Sequence, residues 1–224
     1  MAFSLFRKPP PPAEPMTWTE FKDRALPAFD EVFLPMGFER FSRMEWVETA
    51  SSDVGARRMF ALMAFKGGKV IPAWGYSFDY VPHVAGDTVH WHRTPKSAIF
   101  DLWQEAPNGK MELSLLMGLP ALEAELPRAV KQAKAAANSF WKPRPALADL
   151  PGLFQNVEAA RAKAKQFGFD MLVQPRLAWA FTLARTGERA RADDMLADWM
   201  EKRKLADPTR QRLEALLRAT GSKY

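Results

Sequence analysis

Between Phe38 and Arg93 apolar side chains recur at about every second position, whereas on either side of that stretch they recur every three or four. A period of two belongs to a strand with one covered face and a period near 3.6 to a helix, so the chain must build a sheet with helices before and after it. The sharpest local signal is Gly67-Gly68 between Lys66 and Lys69, because a two-residue hairpin connection needs the positive backbone angles that glycine adopts freely. Met59 to Phe65, just before it, is a nearly continuous apolar run, as expected of a central strand covered on both faces. Val70 to Val81 is the return strand, with Val70, Trp74, Tyr76, Phe78 and Tyr80 on one face, and Pro72 predicts an edge or a bulge. Phe41, Met44 and Trp46, set among Arg43, Glu45 and Glu48, predict one half-buried strand with a bulge. Gly86-Asp87 predicts a turn, and Thr88 to Arg93 a short further strand.

The flanking segments carry helix signals. Thr17 and Glu20 have the spacing of a capping box, and Phe21, Ala25, Phe29, Val32 and Phe33 then share a face; Pro27 predicts a kink or a split, and Gly37 a left-handed stop. Thr94-Pro95 reads as a helix start, with Ile99, Leu102 and Trp103 inward as far as Pro107. Met111, Leu113 and Leu115 alternate as a last strand, and Ala121 to Phe140 reads as an alanine-rich helix with Leu122, Leu126, Val130 and Ala133 inward. Residues 17–141 are therefore expected to form an α+β unit, an antiparallel sheet of four or five strands with helices on one face. This unit is loosely similar to uncharacterised bacterial α+β domains, a likeness that implies no function. Residues 1–16 form a proline-rich tail, read either as a flexible end on a stiff polyproline spacer or as an apolar, basic toe for a membrane surface or a partner. Pro143, Pro145 and Pro151 mark a linker over 142–152. Beyond it, 153–224 is expected to be a helical bundle, with helices at about Phe154–Phe167, Pro175–Thr186, Ala190–Lys204 and Pro208–Thr220.

Ala180, Leu183, Gly187, Ala192 and Leu196 have the spacing of small and turn-forming positions in a helical hairpin, and over 175–204 the chain resembles a tetratricopeptide unit. The resemblance implies a hairpin geometry and a partner that is another protein. The pattern departs at Trp199, where alanine is usual, and at Lys204, where proline is usual. No second copy at that period is present, which argues against a superhelical array.

The 224 residues are 47% hydrophobic, enough for a real core, and contain no cysteine. That excludes disulfides, thiol nucleophiles and thiolate metal sites, and fits a reducing, cytoplasmic setting. No uncharged apolar run approaches the ~18 residues a spanning helix needs, so no transmembrane segment is expected. Residues 151–224 hold 14 of the 32 basic and 9 of the 26 acidic side chains, and so five of the six net positive charges. Arg161, Lys163, Lys165, Arg185, Arg189, Arg191, Lys202, Arg203 and Lys204 form a candidate basic stripe for an acidic partner or nucleic acid, though no nucleic-acid motif accompanies them.

All three histidines, His83, His90 and His92, fall in one ten-residue window. In an extended strand His90 and His92 project to one side about 7 Å apart, a spacing two imidazoles on zinc can use, with His83, Asp79 or Asp87 as a third ligand. An open position on such a zinc would be hydrolytic. Two functions follow. The first is a cytoplasmic interaction or regulatory protein, adaptor or immunity-like, docking through its basic helical end at Arg185, Arg189 and Arg191 around the Gly187 turn, with Trp199 either wedged between helices or exposed as an anchor. The second is a small metal-dependent hydrolase at the three histidines.

Overall fold

The computed structural model describes residues 14–41, 44–91, 93–107, 111–142, 144–166 and 174–220. The fold is α+β. Helix α1 (Trp18–Phe33) opens on the expected capping box: the Thr17 hydroxyl accepts from the Glu20 amide at 3.2 Å and the Thr17 amide donates to the Glu20 carboxylate at 2.7 Å. Pro27 does not split it. The carbonyl that loses its donor belongs to Asp23, and both residues sit on the exposed face, where water replaces the lost bond.

Strands β1 (Phe38–Phe41) and β2 (Glu45–Glu48) pair antiparallel, with Phe38 opposite Glu48. The single bulged strand expected here is a hairpin. The residue that would have put the faces out of register lies in the turn, where Met44 adopts φ +59°. Strands β3 (Ala56–Phe65) and β4 (Lys69–Phe78) form the long central hairpin; Phe65 pairs with Lys69, so the connection is the three residues Lys66-Gly67-Gly68 rather than the two expected, with Gly67 and Gly68 at φ +77° and +73°.

A short ribbon follows, β5 (His83–Ala85) and β6 (Thr88–His90), turning at Gly86-Asp87. The helix expected after Thr94-Pro95 is a single 3-10 turn, Pro95–Ser97, and the chain then extends into β7 (Leu102–Glu105). Thr94 and Ser97 do make a cap, but Leu102–Glu105 gains a full ladder with β4, and that pairing overrides the local preference. Strand β8 (Leu113–Ser114) joins the same side of β4 further along. Pro72 is consequently neither at an edge nor in a bulge. It sits in an interior strand at the gap between β7 and β8, and its carbonyl takes the Ala106 amide where the β7 ladder ends. A proline without an N–H costs nothing where no acceptor stands opposite.

Among the described residues the main sheet is thus the expected antiparallel one, in the order β1-β2-β3-β4-β7, with the two-residue β8 added on β4. Helices α1 and α2 (Leu119–Trp141) cover one face: Phe29 and Phe33 lie 5.3 and 4.3 Å from Phe60, and Phe33 and Phe38 close on Trp141. The other face carries a smaller cluster, Val47, Met59, Ala61, Ala73 and Trp103, beneath Ala98 and Phe100.

Helix α3 (Leu150–Lys163) runs along the free edge of β7 and starts inside the proline-rich stretch expected to be a linker. Phe154 joins Phe78 on one side of the sheet, while Arg161 stacks over Trp103 at 3.8 Å on the other. Covering an edge in this way removes a row of backbone groups open to unwanted pairing. Helices α4 (Pro175–Arg185), α5 (Arg189–Arg203) and α6 (Asp207–Thr220) are the last elements among the described residues. They share a continuous core with the sheet: Phe181 packs on Trp91, the Tyr80 hydroxyl meets Thr182 at 2.8 Å, and Thr209 donates to the Asp87 carbonyl at 2.8 Å. Among the described residues no helix is long and apolar enough to cross a membrane.

Candidate docking groove on the helical end

The α4–α5 turn places Gly187 at φ +86°, a left-handed angle that a side chain would strain. Ala180, Leu183, Ala192 and Leu196 are buried on the facing sides of this hairpin. Both α5 and α6 pack on α4, and between them runs a groove of about 870 Å³. Ala184, Leu196, Ala197 and Met200 give it an apolar floor; Arg189, Asp193, Asp194, Glu214 and Arg218 give it charged rims. Along α5, Arg189, Asp193, Leu196, Ala197 and Met200 are spaced by four, three, one and three, which is one helical face, and Asp194 lies at its margin.

The arginines around Gly187 do not make one patch. Arg185 turns toward the sheet, its guanidinium 4.3 Å from the Tyr80 ring centroid and donating to the Val54 carbonyl at 3.1 Å. Arg189 pairs with Asp193 at 3.3 Å and donates to the Leu217 carbonyl at 2.9 Å, bridging the groove at one end. Arg191 pairs with Glu188. Arg161, counted in the basic stripe, is buried beside Glu105 at 3.8 Å; burial lowers the pKa of Arg161 and raises that of Glu105. Trp199 is only 3% exposed, so of its two readings the wedge is the one seen: its ring is buried beneath the Arg203 guanidinium at 5.5 Å.

His83 and His90 stand directly opposite each other across the β5–β6 ribbon, rings 6.1 Å apart. Burial, the nearby Arg93 and His90 itself lower the pKa of His83. His92 lies outside the described residues, and among those described no group of three or more histidine, aspartate or glutamate side chains could hold a metal. Asp79 is engaged by Arg57, at 2.8 and 3.0 Å. Asp87 lies in the ribbon's turn, its carbonyl taken by Thr209.

What the sequence reading missed is the clasp behind the ribbon. Asp101 and Arg93 form a fully buried ion pair; Asp101 also accepts the Phe78 amide at 2.7 Å, and Arg93 donates to the Pro82 carbonyl at 3.0 Å. Burial raises the pKa of Asp101 even with Arg93 beside it. The two residues are eight apart, on either side of the Thr94-Pro95 turn, and only the fold brings them together.

Compared with known families, curated proteins and solved structures, the chain matches none. The groove and its residues carry the functional argument unaided.

Proposed function

We propose that this chain is a protein-interaction module, regulatory or adaptor in kind, that works in the cytoplasm and docks its partner through the α5–α6 groove. The observation behind the reading is the groove itself, a cleft between two helices with small and apolar residues at its floor and charges along both rims. That is the shape into which an amphipathic helix lays its apolar face.

The rim chemistry specifies the occupant. Asp193, Asp194 and Glu214 outnumber Arg189 and Arg218, and Arg189 is already tied to Asp193 and to the α6 backbone. The partner helix therefore carries lysine or arginine beside its apolar face. The same carboxylates oppose a nucleic-acid backbone.

Ala197 is exposed on the groove floor, so Ala197→Arg fills the groove without disturbing the core. Partner recovered with wild type and with a Lys131→Glu control on α2 should be lost with Ala197→Arg, while the melting temperature is unchanged. Retention of the partner by Ala197→Arg would remove the groove from consideration. A second reading, zinc held at the His83–His90 pair, draws on their facing positions across the ribbon. It requires stoichiometric zinc in purified protein that disappears with His90→Ala.

A further inference from the structure

A second, smaller cavity lies where the β5–β6 turn meets the end of α5, apart from the docking groove. It measures about 220 Å³ and is lined by Gly86 and Asp87 of the turn and by Gln174, Trp199, Arg203 and Lys204 of the helical end. Two of these lining residues have buried polar atoms with no hydrogen-bond partner among the described residues: the Trp199 indole nitrogen, a donor, and Gln174 Oε1, an acceptor. The Gln174 amide nitrogen is spent on the Val84 carbonyl at 3.0 Å, which fixes the side chain with its oxygen as the free end. A buried donor and a buried acceptor left unmade are each costly, and a fold keeps such groups when something else completes them. The space is several times the ~30 Å³ share of one water.

The charges at the mouth narrow the choice. Lys202 is paired with Asp198, whereas the next two residues, Arg203 and Lys204, are exposed cations in the cavity lining. Arg203 lies over the Trp199 ring. Lys204 is held at φ +51°, a backbone angle uncommon for a residue with a side chain. Asp87 supplies one opposing negative charge, so the lining is net cationic.

We propose that this cavity binds a small oxyanion that carries its own hydroxyl, hydrogen phosphate being the simplest member of the class. The oxyanion oxygens accept from the Trp199 indole N–H, Arg203 and Lys204; the hydroxyl donates to Gln174 Oε1. Sulfate has similar size and charge but no hydroxyl at neutral pH, and would leave the Gln174 oxygen facing an anion. A site built around a hydrogen bond discriminates strongly against an analogue that cannot make it.

The experiment follows the Trp199 indole resonance in ¹⁵N-labelled full-length protein, assigned with Trp199→Phe, during titration with sodium phosphate and with sodium sulfate at matched ionic strength. Phosphate should shift that resonance saturably and at least tenfold more tightly than sulfate. Lys204→Gln and Arg203→Gln, both exposed, should each weaken phosphate about tenfold, and Gln174→Met should erase the preference over sulfate. Calorimetry on wild type and Lys204→Gln provides the same comparison should Trp199→Phe not fold. Equal response to both anions, an unmoved indole signal, or phosphate binding indifferent to Lys204→Gln would each overturn the proposal and leave the cavity to water.

Discussion

Charged residues in this chain matter according to what surrounds them, and the Arg93–Asp101 pair is the extreme case. Both side chains are fully buried, so removing one partner leaves an uncompensated charge, at a cost of about 3–5 kcal/mol. Arg93→Met and Asp101→Asn should each lower stability by that order in urea unfolding, and the double change to apolar residues should recover part of the loss. Arg191→Glu, whose pair with Glu188 is exposed, should change stability by less than about 1 kcal/mol. Trp199→Ala should cost roughly 3–5 kcal/mol, as for a buried aromatic. His83 supplies a pH signature. Its pKa is lowered by burial, Arg93 and His90, so the unfolded chain takes up this proton at a higher pH than the folded protein does. The stability it contributes is complete above about pH 6.5 and falls as the pH drops below that. Unfolding midpoints at about pH 7.5 and 5.5 should show that fall, and His83→Gln should reduce it.

At the scale of elements, sequence signals succeeded where local chemistry decided the outcome and failed where a distant partner did. The Thr17 cap and the run of helices after Pro175 are set by residues close in sequence and are present as read; the glycine turn is also where expected, lengthened by Lys66 to three residues. Thr94-Pro95 has the chemistry of a helix start and makes its cap, yet Leu102–Glu105 becomes a strand because β4 has an open side some thirty residues away in sequence. The groove was legible only in part: the α4–α5 hairpin follows from Ala180, Gly187 and Ala192, but the gap depends on how α6 sits against α4. Gly75 shows a constraint invisible to periodicity. A Cβ there would lie 2.1 Å from the Leu102 carbonyl oxygen and 2.7 Å from the Trp103 Cα, both main-chain atoms of β7, and the Gly75 carbonyl takes the buried Trp141 indole N–H at 3.0 Å. Gly75→Ala must push two paired strands apart. It should cost more than about 4 kcal/mol, beyond an ordinary core substitution, whereas Gly152→Ala, with open space around it, should be near neutral.

On the scale of the whole molecule, the sheet and the helical end share one core through Phe78, Phe154, Trp179 and Phe181. Unfolding followed by tryptophan fluorescence and by far-ultraviolet circular dichroism should therefore give coincident transitions; two separated steps would mean that the helices fold apart from the sheet. That shared core gives the groove a rigid backing, since α4 beneath it is buried along nearly its whole length. A rigid groove takes a partner helix with little reorganisation of its own. A photo-reactive amino acid placed at Ala197 in the groove and, separately, at Lys131 on α2 tests the groove directly through the cross-links each makes to a co-purifying partner. Cross-linking is expected from position 197 to an apolar, lysine- or arginine-flanked helix of the partner, weakened by salt, and none from position 131. A partner that co-purifies yet cross-links only from position 131 would contradict docking in the groove.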